Sequence, residues 1–126
     1  VMSRNREAKG FRKLIVWQRA HELTLMVYRM SENFPKHEIY GVTSQLRRSS
    51  SSVPANIAEG YALGSNAQFL RHLRIAQGSL AEVEYFLILA LDLEYYSKDD
   101  DDKVESLRSE VGYLLSRLIK SSENKR

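Results

Sequence analysis

The chain has 126 residues, of which 43% are hydrophobic and 28% charged, and its formal net charge is +3. This length suits one domain with its own core, and the lack of cysteine excludes disulfide bonds and thiolate metal sites. With no apolar run near the ~18 residues that span a membrane and no apolar leader at the N-terminus, the sequence predicts a cytoplasmic protein without a membrane partner.

Residues 1–13 are polar and basic, which predicts a flexible arm ahead of the folded domain. The first helix is predicted over residues 14–33 and ends at Phe34, because the residue before a proline disfavours helical conformation. Its apolar residues recur every three or four positions, the pattern of one buried stripe. That stripe consists of Leu14, Trp17, Ala20, Leu23, Val27 and either Tyr28 or Met30.

The second predicted helix begins near Thr43 or Ser44, whose hydroxyls are suited to cap it, and it breaks two rules of helix composition. Pro54 lies in its interior, where proline removes a backbone donor and crowds the preceding turn. Four serines, residues 49–52, occupy what should be its apolar centre. We expect the small serines to let two helix backbones approach closely and Pro54 to bend the helix there. The predicted buried stripe is Leu46, Ser50, Val53, Ile57 and Tyr61.

The third predicted helix starts with a capping box at Ser65 to Gln68 and continues for about 28 residues. Gly78 costs about 1 kcal/mol in a helix interior, and we expect another backbone to pack closely against it. Nearly every position from 86 to 93 is apolar, which is too many for one core-facing stripe. This excess predicts an interface between subunits, formed by Phe86, Ile88, Leu89 and Leu93.

The last predicted helix begins after Ser97, with four aspartates, residues 99–102, near the positive end of the helix dipole. Its apolar residues alternate at three- and four-residue spacing, as in the seam of a helical bundle. They are Val104, Leu107, Val111, Leu114 and Leu118. Four amphipathic helices with short connections predict an all-α, antiparallel up-and-down four-helix bundle over residues 14–120, followed by a frayed tail over residues 121–126.

The sequence offers little catalytic chemistry. His21-Glu22 begins like a zinc-protease H-E-x-x-H motif, but Leu25 replaces the second histidine. The serine run lacks the G-x-S-x-G turn that exposes a nucleophile, and no glycine-rich phosphate loop precedes a lysine. We therefore expect no enzyme activity, no metal and no cofactor, and Glu59 is the one candidate left for an acid–base role.

The polar residues of the second helix allow two interpretations, one structural and one functional. Gln45, Asn56 and Glu59 lie near apolar positions, which predicts a structural polar network in which Glu59 pairs with Arg47 or Arg48. The functional alternative is a basic face that contacts phosphates. Its candidate residues are Arg12, Lys13, Arg47, Arg48, Arg71 and Arg74.

Charge is segregated along the chain, which is compatible with both interpretations. Residues 1–81 carry twelve basic and five acidic residues, whereas residues 82–110 carry three basic and ten acidic residues. Such asymmetry creates a positive face that attracts a polyanion, although a solvated surface has the same composition.

Three stretches carry a resemblance to a known family: FRKLIVWQRAHEL, FPKHEIYGVTSQLRRSSSSVPANIAEG and FLRHLRIAQGSLAEVEYFLILALDLEYYS. Over about residues 11–119, the chain resembles the four-helix-bundle proteins encoded in intervening sequences of bacterial large-subunit ribosomal RNA genes, often labelled ribosomal-protein-like. It departs from their pattern at Lys13, where an acidic residue is frequent, and at Ala76-Gln77, where Ala-Arg is common.

The resemblance implies a bundle that assembles into a ring-shaped homo-oligomer, commonly a homopentamer. A related group, the accessory proteins of diversity-generating retroelements, forms similar pentamers that bind nucleic acid and a reverse transcriptase. The leading hypothesis is therefore a non-catalytic homo-oligomer that binds RNA or a ribonucleoprotein through its basic face. The alternative is a protein–protein assembly module without direct contact to nucleic acid.

Overall fold

A computed structural model describes residues 9–125, and these form four α-helices and two short 3-10 turns, with no strand in that range. The helices are α1 (Ile15–Ser31), α2 (Val42–Ala62), α3 (Asn66–Asp92) and α4 (Lys98–Glu123), and the turns are Gly10–Lys13 and Lys36–Glu38. Each helix packs against the next, and α4 packs back against α1. The predicted antiparallel four-helix bundle is confirmed, while its assembly into a ring stays a prediction.

The bundle extends beyond the predicted limits of residues 14 and 120. Residues 1–8 of the predicted arm lie outside the described residues, but Gly10–Lys13 forms a turn that packs against α1 and α2. Gln18 Nε2 donates to the Arg12 carbonyl at 2.8 Å and holds this turn in place. At the other terminus, the helix continues to Glu123 because Asn66 Nδ2 donates to the buried Ser122 carbonyl at 2.9 Å.

Serine caps begin two of the helices where the sequence predicts them. The Ser65 hydroxyl accepts a hydrogen bond from the Gln68 N–H, and the Ser97 hydroxyl accepts one from the Asp100 N–H, both at 3.1 Å. The start of α2 differs from the prediction, because Glu38 rather than a hydroxyl caps it.

The Glu38 carboxylate joins the two loops at one end of the bundle. Its Oε1 accepts from the Val42 N–H at 3.1 Å, and its Oε2 accepts from the Tyr95 hydroxyl at 2.6 Å. These two bonds, first the one from Tyr95, lower the pKa of Glu38 below its ordinary value of 4.5. Both carboxylate oxygens of Glu38 are therefore used in hydrogen bonds that stabilise the fold.

The core follows most of the predicted stripe positions. Leu23, Leu46 and Ile57 are fully buried, whereas the predicted Leu14, Trp17 and Tyr61 are only partly buried. In α4 the predicted Val104 and Val111 are fully buried, but Leu115 and Ile119 are buried in place of the predicted leucines, which are partly buried. Two apolar stripes lie side by side on α4, and the stripe that contains Leu115 and Ile119 is the one that close packing against α3 buries. The other stripe faces α1 and consists of Leu107, Leu114 and Leu118.

Pro54 is accommodated inside α2 by a hydroxyl from α1. The Ser50 carbonyl is the acceptor that the N–H of residue 54 would normally satisfy, and proline has no N–H. Thr24 Oγ1 instead donates to the Ser50 carbonyl at 2.9 Å. Both residues are buried, so an α1 side chain replaces the missing backbone donor where water cannot reach.

The serine run lets α2 approach its neighbours closely. Ser49, Ser50 and Ser51 each donate a hydroxyl hydrogen bond to the carbonyl three residues earlier, so their polar atoms are satisfied within α2. Ser52 instead bonds the hydroxyl of Ser79 on α3 at 2.8 Å. The predicted role of small serines, close approach between helices, agrees with these contacts.

Gly60 of α2 packs closely against α3. A Cβ atom placed on Gly60 would lie 2.7 Å from the His72 Cβ and 3.3 Å from the Phe69 Cα. On Gly78, in contrast, such a Cβ would meet no atom of residues 9–125 within 4 Å apart from its own helix turn, so the expected close backbone contact is not found among these residues.

Candidate nucleic-acid interface

The polar network between α2 and α3 centres on Asn56. Asn56 Nδ2 donates to the Ser52 carbonyl at 2.9 Å and to its hydroxyl at 3.1 Å, which leaves Oδ1 facing His72 Nδ1 at 3.0 Å. Because Oδ1 can only accept, His72 Nδ1 carries the proton and donates. The buried histidine therefore ties α3 to α2.

The other two predicted members of the network take different positions. Glu59 is exposed over 63% of its side chain and lies 4.0 Å from His72 Nε2, without the predicted bond to Arg47 or Arg48. Gln45 Oε1 accepts from Arg48 Nη2 at 2.6 Å on the surface. His72 could not be predicted as the partner of Asn56, because the spacing of polar residues within α2 carries no signal for a residue of α3.

Arg47 is held against α1 by three contacts. Its Nε donates to the buried Ser31 hydroxyl at 2.8 Å, its Nη2 donates to the Tyr28 carbonyl at 3.3 Å, and its guanidinium carbon lies 4.9 Å from the centre of the Tyr28 ring. This geometry is a cation–π contact on a half-buried arginine. Arg47 therefore has a structural role whatever ligand it meets.

Arg47 and Arg48 line a cleft between the end of α1 and the start of α2, which we call the Arg47–Arg48 cleft. Its volume is about 430 Å³, within the range of small-molecule sites. Its lining residues are Tyr28, Ile39, Thr43, Ser44, Arg47, Arg48 and Ser51.

The structure separates the predicted phosphate-binding residues into two groups. Ser52 lies opposite Ser79, so Arg48, one turn before Ser52, lies near residue 83 of α3. Arg74 and Arg71 lie nine and twelve residues before residue 83. At 1.5 Å per residue, the distance along the helix axis from the level of Arg48 to these two arginines is roughly 14–18 Å. Arg47 and Arg48 are thus at one level of the bundle, and Arg71 and Arg74 at another.

Arg12, Lys13, Arg71 and Arg74 lie together at one end of the bundle. Lys13 Nζ is 5.9 Å from the ring centre of Tyr61, which in turn contacts Phe69 at the start of α3. Arg74 forms an ion pair with Glu123 at the end of α4. The end of α4 also brings three exposed cations that sequence analysis missed: Arg117, Lys120 and Lys125. We call the seven residues Arg12, Lys13, Arg71, Arg74, Arg117, Lys120 and Lys125 the basic end.

Charge is also segregated along the bundle axis. The half with the basic end, described residues 9–23, 57–77 and 110–125, carries nine Lys or Arg and four Glu. Two of these acids, Glu22 and Glu110, are paired with Arg19. The other half, residues 24–56 and 78–109, carries seven basic and eleven acidic residues. This distribution creates a positive potential at the basic end that attracts polyanions.

The predicted oligomer face is divided between core and surface. Phe86 and Leu89 are half-buried and pack against the core, while Ile88 and Leu93 are exposed. Ile75 and Tyr85 are also exposed on the outer side of α3, where Gly78 has no neighbour. An apolar surface is therefore present on α3, with a membership that differs from the predicted one.

Residues 9–125 contain no group of three or more histidine or acidic side chains placed to hold a metal ion. No helix among these residues is both long and apolar enough to cross a membrane.

Comparisons with known proteins match nearly the whole bundle. A family model described as "23S rRNA-intervening sequence protein" matches residues 12–117. A solved structure of a protein with unknown function from the S23 ribosomal protein family of Bacteroides thetaiotaomicron VPI-5482 superposes with a TM-score of 0.75 at 28% sequence identity. That similarity covers 84% of this chain and 99% of the other. No curated protein matches.

Proposed function

Because the chain belongs to the 23S rRNA-intervening sequence protein family, we propose that it is a non-catalytic bundle that binds structured RNA through the basic end. The observation that carries the proposal is the excess of nine basic over four acidic residues in that half of the bundle. Phosphate contacts by Lys and Arg supply most of the affinity of proteins for nucleic acids. The compartment we propose is the cytoplasm, where such RNA is accessible.

The side chains of the basic end are available to a ligand to different degrees. Arg71 and Lys120 are exposed, and neither forms an ion pair with a described residue. Arg74 is paired with Glu123, so binding a phosphate through Arg74 requires that pair to open or to be shared. Arg71 and Lys120 are therefore the most informative residues to replace.

Neutralising both residues, by Arg71→Gln with Lys120→Gln, is expected to weaken binding to an RNA stem–loop and to flatten its salt dependence. Each lost phosphate contact should reduce the slope of log K against log salt concentration by about 0.7–0.9. Two lost contacts should then reduce the slope by about 1.4–1.8. Fluorescence anisotropy of a labelled stem–loop, titrated at several salt concentrations, measures both effects.

The matched control is the double variant Lys36→Gln with Lys103→Gln, whose lysines are exposed in the acidic half. It has the same net charge as the test variant, so it should bind RNA nearly as the unmodified protein does. Equal weakening by both double variants would show that only net charge matters. Absence of RNA binding by the unmodified protein at low salt would reject the proposal.

A second candidate function, assembly with further copies of the chain, is favoured by the outer side of α3. Ile75, Tyr85 and Ile88 are 40%, 55% and 52% exposed there, and Gly78 leaves room for a close neighbour. Exposed apolar rows of this kind mark protein interaction sites more often than single exposed residues do. We propose that copies associate through this side of α3 into the homo-oligomer, with a homopentamer as the expected size.

The substitution Ile88→Glu is expected to dissociate such an oligomer to monomers, because it places a charge in an apolar contact. Light scattering coupled to size-exclusion chromatography gives the mass directly. The control is Ile39→Glu, which adds the same charge at an exposed isoleucine away from α3. A monomeric unmodified protein at micromolar concentration would exclude assembly, and RNA binding by such a monomer would leave the first proposal intact.

A further inference from the structure

The Arg47–Arg48 cleft lies in the acidic half of the bundle, yet no carboxylate lines it. The chain has no acidic residue between Glu38 and Glu59, and the cleft is formed mainly by this segment. The Glu38 carboxylate is occupied by the Val42 N–H and the Tyr95 hydroxyl. The cleft is therefore lined by two cations and no carboxylate, separate from the basic end, and Arg48 also lines a neighbouring depression that contains Glu82.

The two arginines differ in how firmly they are held. The contacts of Arg47 to Ser31 and Tyr28 use Nε and Nη2, which leaves Nη1 for a ligand on a guanidinium already fixed in place. Arg48 is exposed, and among residues 9–125 its guanidinium bonds Gln45 alone, through Nη2. Because a fixed donor loses little conformational entropy when it binds, Arg47 is the arginine expected to hold the anion first. The more mobile Arg48 side chain then adds a second contact to the same anion.

Hydroxyls and apolar surface complete the lining. Ser44 and Ser51 lie on the same side of α2 as the arginines, at the three- and four-residue spacing of neighbours on a helix. Ile39 and Tyr28 are 47% and 42% exposed beside them. The Ser51 hydroxyl already donates to the Arg48 carbonyl. The two guanidinium groups and the Ser44 hydroxyl are thus the donors for an oxyanion, and they lie next to apolar surface, which is the combination that a phosphate carried on a nucleoside requires.

We propose that the Arg47–Arg48 cleft binds a nucleotide through a phosphomonoester, with the phosphate on the two guanidinium groups and the base against Tyr28 and Ile39. Two arginines match the charge of a phosphomonoester, about −1.5 to −2 at neutral pH, better than the single charge of a phosphodiester. The ligand is either a free nucleotide or the phosphorylated end of an RNA strand, and both present this group.

The first experiment uses small probes on the full chain. Isothermal titration calorimetry is expected to detect AMP binding, weaker binding of inorganic phosphate and no binding of adenosine. Arg48→Gln should weaken AMP binding at least about tenfold, the effect of one lost charge-assisted hydrogen bond. Lys103→Gln, which removes an exposed positive charge outside both proposed binding surfaces, should leave AMP binding unchanged. Affinity should also fall as the pH is lowered through about 6, where a phosphomonoester loses its second charge.

The second experiment identifies the source of the phosphate. RNA hexamers with a 5′-phosphate or a 5′-hydroxyl are compared on the unmodified chain and on Arg48→Gln. A preference for the 5′-phosphate that disappears in the variant indicates a strand end, and AMP binding without that preference indicates a free nucleotide. The proposal is overturned if AMP does not bind at millimolar concentration or binds the variant equally. Neither result bears on the basic end, whose stem–loop binding is tested by Arg71 and Lys120.

Discussion

Replacing Thr24 by valine is expected to lower the free energy of unfolding by about 1–3 kcal/mol, the cost of a buried polar group without a partner. Valine keeps the shape of threonine but removes the hydroxyl that donates to the Ser50 carbonyl. Since Pro54 has no N–H, that carbonyl would then lack a donor inside the bundle. Urea denaturation followed by circular dichroism measures the change.

A double-mutant cycle with Pro54→Ala tests the stated cause. Alanine restores the N–H that α2 normally supplies to the Ser50 carbonyl, so Thr24→Val should cost much less in that background. A coupling energy of about 1 kcal/mol or more between the two positions is expected. Thr24→Ser serves as the conservative control, because it retains the hydroxyl. If Thr24→Val cost the same with proline and with alanine at position 54, the hydroxyl would not be replacing the missing donor.

The substitution Gly60→Ala is expected to destabilise the bundle by about 1–2 kcal/mol, although alanine is the better helix former. The added methyl group would meet the His72 Cβ at 2.7 Å and the Phe69 backbone at 3.3 Å. Relieving this overlap requires α2 and α3 to separate, which costs about 1–3 kcal/mol and exceeds the gain in helix propensity of about 1 kcal/mol. It would also disturb the hydrogen bond between Asn56 and His72.

Gly78→Ala is the matched control, because it makes the same change in the neighbouring helix where no atom lies within 4 Å. It should raise the free energy of unfolding by up to about 1 kcal/mol when measured on dilute protein. Opposite signs for the two substitutions would establish that close packing, and not backbone flexibility, requires glycine at position 60. A stabilising effect of Gly60→Ala would contradict the structure at this contact.

The fold could be predicted from the sequence because its signals are local. Helix starts at Ser65 and Ser97 follow from capping residues, and the buried stripe of α2 follows from apolar spacing. The start of α2 could not be predicted in the same way, since Glu38 reaches its cap from another turn. The buried side of α4 was also undetermined, because Leu114 and Leu115 are equally apolar and only packing against α3 distinguishes them.

The candidate site was less predictable, because it depends on which ends of the helices meet. Arg71 and Arg74 were identified from sequence, but Lys120 joins them only because antiparallel packing returns the end of α4 to the start of α3. His72 was missed as the partner of Asn56 for the same reason. Arg47 was expected on a binding face, and its contacts with Ser31 and Tyr28 could not be foreseen from spacing within one helix.

The axial separation of charge gives the molecule a permanent electric dipole, and this affects how copies can be arranged. In a closed ring whose subunits stand parallel to the symmetry axis, every basic end faces the same side. Neighbouring dipoles then repel, and dissolved salt weakens that repulsion, most strongly between charges more than about 10 Å apart at 0.1 M. Added salt would thus favour such a ring while it weakens the attraction of RNA to the basic end. Self-association and RNA binding of this protein would respond to ionic strength in opposite directions.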